Sequence, residues 1–145
     1  MIPIENFKAH LETISKNDWL TLFELIPEIE KTGSFGEFVF DEKEDNIQIL
    51  PYCTWSEIVS RFVSISYKLN IIPVFEWMNW VEGKNVLNSK TEQSFDDFDE
   101  ITLCKFIGAI IRADRFNEGY LVSQFKNHTI LKILISLKHK ILKGS

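Results

Sequence analysis

Between Asp99 and Asn117 the chain sets Leu103, Phe106, Ile107, Ile110, Ile111 and Phe116 at helical intervals. That spacing constrains the fold more than any other feature. A helix that is apolar around so much of its circumference has to be enclosed on several sides to leave water. It predicts a central helix over 99–117, with Gly108 letting a neighbouring element approach closely. Asp96, Asp97, Asp99 and Glu100 stand ahead of it, where the positive end of a helix dipole favours carboxylates.

The rest of the chain supplies what encloses that helix. Ile4, Phe7, Leu11 and Ile14 predict a helix over 4–15, and Asn17 or Asp18 is suited to cap a second one carrying Trp19, Leu22, Phe23 and Ile26. Pro27 should kink or restart that helix, and Gly33 should end it. From Phe35 the period changes. The runs EFVF and IQILPY, joined by the charged turn DEKEDN at 41–46, predict a β-hairpin. Thr54 is the expected N-cap of a third helix carrying Ile58, Phe62, Ile65 and Leu69. IIPVFEWMNWVEGKNVLN reads as a buried loop with a short helix, and residues 88–98 read as an exposed linker. After Gly119 come a short helix, YLVSQF, and a last one from Thr129 to Lys143. The broad apolar stripe of that last helix, Ile130, Ile133, Leu134, Leu137 and Ile141, is either packed on the core or shared with a second subunit.

The expected fold is mainly α (α+β), with about five to seven helices and one small β-hairpin near residues 35–52. The 145 residues are expected to form one domain, 1–145. A chain of that length buries roughly two thirds of its unfolded surface. With 45% apolar and 13% aromatic residues, it is far from the composition of disordered proteins. Cys53 and Cys104 show neither paired CxxC spacing nor a neighbouring His cluster, so both are expected to be reduced and buried. His10, His128 and His139 share no ligand spacing, and no metal or cofactor is called for. The N-terminal residues lack the pattern of a signal peptide, and no apolar run is long enough to span a membrane. The expected compartment is the cytoplasm.

Charge is unevenly spread. Residues 1–100 carry 8 Lys and Arg against 19 Asp and Glu, a balance of −11, whereas residues 101–145 carry 8 against 2, a balance of +6. A basic C-terminal third could face an anionic partner such as nucleic acid. Helix-end electrostatics accounts for the same pattern, because Lys138, Lys140 and Lys143 end a helix. No aromatics interleave with these lysines, which weighs against nucleic acid. There is no GxGxxG or Walker-type loop, no GxSxG elbow, no HExxH and no calcium-loop pattern.

The chemistry that stands out is IRADRFNEG at 111–119. On a helix, Arg115 and Glu118 would be spaced to pair, while Asp114 and Glu118 would share a side. Two readings follow for Arg112, Asp114, Arg115 and Glu118. In one they are an ion-pair and capping network where the long helix ends at Gly119. Alternatively they line a polar pocket in which an arginine grips a phosphate or carboxylate and a carboxylate acts as acid, base or ligand. Tyr52, Trp55, Phe75, Trp77 and Trp80 form a second cluster, either core filling or a stacking wall for a ligand, with Tyr52 and Trp77 the candidate wall residues.

IRADRFNEGYLVSQF, preceded by GSFGEF, ILPYCTWSEIVSRFVSISYKL and IIPVFEWMNW in that order, resembles a bacterial family of domains of unknown function whose members carry a RADRF-x-EG segment. The resemblance runs from about Trp19 to Leu137. It implies a bacterial cytoplasmic or prophage-borne protein and brings no activity, substrate or catalytic residue. At 72–77 the chain reads Ile-Pro-Val-Phe-Glu-Trp, related to the family's proline and aromatic pattern but not identical, so no role passes to Glu76. The expectation is a non-enzymatic protein-binding or accessory module, with self-association or a protein partner through Thr129 to Lys143. The alternatives are a small-ligand binder or enzyme at Arg112, Asp114, Arg115 and Glu118, and nucleic-acid binding by the basic third.

Overall fold

A computed structural model of the chain describes residues 1–39, 52–89 and 94–143. Two helices open it, α1 (Ile4–Thr13) and α2 (Lys16–Phe23). The first is shorter than its apolar spacing suggests because Ser15 caps the second, its hydroxyl accepting from the Asp18 N–H at 3.1 Å. Asn17 and Asp18, the expected caps, therefore lie inside the first turn of α2. The chain breaks at Glu24 and restarts as α3 (Leu25–Lys31), which puts Pro27 in a first turn, where a missing N–H leaves no hydrogen bond unmade.

The hairpin consists of β1 (Gly36–Val39) and β2 (Tyr52–Trp55), antiparallel, in register from Gly36 opposite Trp55 to Val39 opposite Tyr52. Its second strand takes up Tyr52, the last residue of the IQILPY run; residues 40–51, with the turn at 41–46, lie outside the described residues. Thr54 is consequently a strand residue, its hydroxyl donating to the Glu37 carbonyl at 3.2 Å, and Ser56 takes the N-cap position of α4 (Glu57–Lys68). That helix ends with Asn70 in the left-handed region at φ 54°. The Asn70 N–H donates to Tyr67 O and the Ile71 N–H to Ser66 O, both at 3.1 Å, a Schellman closure that fixes the last turn and Tyr67 with it.

A 3-10 turn at Trp77–Asn79 and α5 (Val81–Leu87) lead to α6 (Glu100–Ala113). Asp99 caps α6 by accepting from the Thr102 N–H at 2.8 Å. Every α6 residue from Leu103 to Ile111 except Lys105 is buried, as the spacing requires. Gly108 is where the chain passes closest, since a β-carbon there would lie 3.2 Å from Ile72 Cγ2. The segment before α6 is packed rather than an open linker. Phe95 is buried, with ring centroids 5.4 Å from Phe106, and the buried Ser136 hydroxyl donates to Asp96 Oδ1 at 2.7 Å. Residues 90–93 of the expected linker are outside the described residues.

After α7 (Tyr120–Lys126), α8 (Thr129–Lys143) lies against α6, α7, α3 and α2. Its stripe residues Ile130, Ile133, Leu134 and Leu137 are fully enclosed within the chain. Of the two placements open to that stripe, the core has taken it. No helix among the described residues is long and apolar enough to cross a membrane.

Two consequences are measurable. Phe106 is fully buried amid Trp80, Phe95 and Phe98, so Phe106→Ala should cost about 3–5 kcal/mol in chemical denaturation. The Asp96 carboxyl is held below its ordinary value, chiefly by the hydrogen bond from Ser136. A carboxylate whose pKa is depressed by folding stabilises above its unfolded value and loses that contribution as pH falls through the folded value. Asp96→Asn should therefore flatten the decline in melting temperature as pH falls below about 5.

Candidate functional site

The segment 112–119 is where the central helix stops and the chain turns into α7. α6 ends at Ala113, four residues short of the expected 117, and the Ala113 carbonyl accepts from the N–H groups of both Phe116 and Asn117 at 3.0 Å. Gly119 makes the turn at φ 89°, a conformation that strains any side chain, and a β-carbon there would come 2.5 Å from Phe38 Cζ. Backbone angle and neighbour both call for glycine.

Because the helix ends early, three- and four-residue spacing no longer sets the contacts of the acids. Asp114 turns forward, and its Oδ1 accepts from the Leu121 N–H at 3.0 Å. It thereby caps α7, whose own N-cap, Gly119, has no side chain to do so. Glu118 reaches the hairpin, its Oε1 accepting from the Cys53 N–H at 2.8 Å and satisfying an edge donor of β2. The expected Arg115–Glu118 pair is not formed. Among the described residues neither Arg112 nor Arg115 has a carboxylate within ion-pairing distance, and the pair that does form, Arg61 with Glu28 at 3.0 Å, lies elsewhere on the surface.

The arginines face other groups. Arg112, half-buried in the last turn of α6, has Nη2 3.8 Å from Met1 Sδ, while its Nη1 is buried with no acceptor among the described residues. Burial lowers its pKa, Tyr67 opposes that, and the like charge of Arg115 adds to it. Arg115 is exposed and donates to the Tyr67 hydroxyl at 3.4 Å. Phe116, expected on the apolar face, is instead 73% exposed, its ring centroid 6.0 Å from that of Trp77.

The aromatic cluster read from the sequence is divided. Trp77 meets the charged segment through Phe116, whereas Phe75 and Trp80 stack edge to face and hold the Lys105 ammonium 4.9 and 4.3 Å from their ring centres. Strand alternation puts Phe38 and Cys53 on one face of the hairpin, toward Gly119, and Tyr52 on the other. Tyr52 therefore does not stand with Trp77 as a wall. Tyr67, Phe38, Met1 and Cys53 meet the segment instead. No periodicity links them to it: Tyr67 is 48 residues from Arg115, and Met1 is 111 from Arg112.

The chemistry available here is limited by what the acids already do. Both carboxylates accept from backbone amides. Burial first, then the charges of Asp114 and Glu118, push the Cys53 thiol up, away from the thiolate a nucleophile needs. Cys104, wholly buried, is pushed up further. Both cysteines are free. Among the described residues no three His, Cys, Asp or Glu side chains gather closely enough to hold a metal ion.

The capping role of Asp114 has a direct test. Asp114→Ala should lower stability by roughly 1 kcal/mol, while Asp114→Asn, which keeps an acceptor oxygen, should recover most of it in the same denaturant titration. An equal loss in both variants would exclude the cap.

No curated protein and no solved structure matches the chain. A family model, described as a family of unknown function (DUF6508), matches residues 14–142, which leaves out α1 and covers α2, the hairpin, the charged junction and all but the last residue of α8. With nearly its whole length matched, the chain belongs to that family.

Proposed function

We propose that this protein is a non-enzymatic binding or accessory module that receives a protein partner on the surface around residues 112–119. The observation that carries this reading is Phe116, a large ring 73% exposed and tilted against Trp77, with two arginines in the same segment. Tyr, Trp and Arg dominate the energetics of protein interfaces, and an aromatic side chain, with only two χ angles, loses little entropy on binding. Tyr67, Met78 and Val74 are also exposed, and these residues extend the aromatic and apolar character of the neighbouring elements.

The competing readings have less support. A site in which Asp114 or Glu118 acts as acid, base or metal ligand has less support, because each already accepts from a backbone N–H. For nucleic acid, the basic end of α8 is partly offset, since Lys140 is close enough to Asp96 and Asp99 to favour their ionised forms. Self-association through Thr129 to Lys143 would have to use the outer face of α8 or its end near Ile141, because the rest of its apolar stripe is enclosed. We take the chain to act as one domain in the bacterial cytoplasm, accessory to cellular or prophage machinery. The family resemblance and the two free cysteines support that setting.

Selection of a displayed peptide library against the immobilised full chain tests the proposal. Enriched peptides should bind the wild type, and Phe116→Ala should weaken them by roughly 30-fold, as expected for an interface hot spot, without lowering the melting temperature. Enrichment of peptides that bind Phe116→Ala equally well would overturn it.

A further inference from the structure

We infer that Arg112, Arg115 and Tyr67 form a receiving site for one carboxylate of the partner, carried on a segment whose neighbouring side chains are apolar; this rests on the protein-binding reading of the same surface. The argument begins with an incomplete set of hydrogen bonds. Arg112 Nη1 is buried and has no acceptor among the described residues, an arrangement that costs free energy until an acceptor arrives. Three residues on, Arg115 has no carboxylate within ion-pairing distance among the described residues. The segment's own acids cannot complete the set, because Asp114 and Glu118 are turned to Leu121 N and Cys53 N.

Tyr67 adds a third donor. Its hydroxyl oxygen accepts from Arg115 Nη2, which leaves the hydroxyl proton to be donated onward. The Schellman closure of α4 and the C-terminal turn of α6 hold these groups on two helix ends, so little ordering is needed on binding. Burial and the like charge of Arg115 both disfavour the ionised Arg112, a disadvantage that an incoming anion would reverse.

The surroundings point to a carboxylate on a protein rather than a phosphate. Phe116 (73% exposed), Trp77 and Met1 (69% exposed) border the arginines. A singly charged, planar carboxylate matches a guanidinium bidentately and is less costly to desolvate among such neighbours than a phosphate dianion. Flanking apolar side chains on the same segment would cover the Phe116–Trp77 pair.

The test is a nuclear magnetic resonance titration of the isotope-labelled full chain with a blocked pentapeptide holding one glutamate among leucines and aromatics. The same peptide with glutamine and inorganic phosphate are titrated in parallel. The glutamate peptide should shift the Nε–H signals of Arg112 and Arg115 saturably. The glutamine peptide, and the glutamate peptide on Arg115→Gln, should bind roughly tenfold or more weakly. Arg115→Gln should melt within a few degrees of the wild type, because Arg115 is exposed and holds no carboxylate, so its loss of binding reports the site rather than the fold. Movement of the Phe116 ring signals with equal affinity for both peptides would overturn the carboxylate site and leave the protein-binding face standing. Arginine shifts as strong with phosphate as with the glutamate peptide would also overturn it. Silence of both Phe116 and the arginines up to about 10 mM peptide would overturn it together with the reading it rests on.

Discussion

The enclosure of α6 is the condition on which the other elements depend. A helix with buried residues on nearly every side has no solvated face to orient it, so its neighbours must surround it: α8 and α7 pack on it, Ile72 passes over Gly108, and Phe95 and Phe98 close on Phe106. Lys105, the one residue between Leu103 and Ile111 that is not buried, directs its ammonium over Phe75 and Trp80. Even the polar opening on this helix is lined by aromatic faces.

Where that enclosure stops, the backbone has to be satisfied by other means. The C-terminal end of α6, the N-terminal end of α7 and the outer edge of β2 all meet near residues 112–119, and each leaves N–H or carbonyl groups without a regular partner. Asp114 and Glu118 meet two of those needs, and Gly119 supplies the turn that brings them there. The acids are thereby fixed, and beside them Arg115 is exposed against Tyr67 while Arg112 stays half-buried near Met1. A segment that reads as four mutually compensating charges is, in three dimensions, two carboxylates engaged by backbone N–H groups and two guanidinium groups with no carboxylate within ion-pairing distance among the described residues.

Much of the fold is legible from spacing. The opening helices, the hairpin, the short helix after Gly119 and the bounds of α8 follow from apolar period and from turn residues, because these act over a few residues along the chain. Element ends were read less well wherever two residues competed for one role. Ser15 rather than Asn17 or Asp18 caps α2, and Thr54 is drawn into β2 by its pairing with Glu37. Phe95 sits in a polar stretch with no period of its own, yet it anchors that stretch in the core. The density of charge at 111–119 is plain in the sequence, but the groups those charges meet are not. Tyr67 and Met1 reach it through the arrangement of α4 and the N-terminal segment, and strand alternation turns Tyr52 to the opposite face of the hairpin.

The sequence by itself determined that α6 would be central, that a glycine would turn the chain after it, and that charge would concentrate at that turn, since each is a matter of residue type and local period. Only the tertiary structure decided which charges are engaged. The partners of Asp114 and Glu118 are backbone N–H groups, and a backbone N–H carries no mark in the sequence of whether it will lack a partner. That depends on where helices and strands end against one another in space.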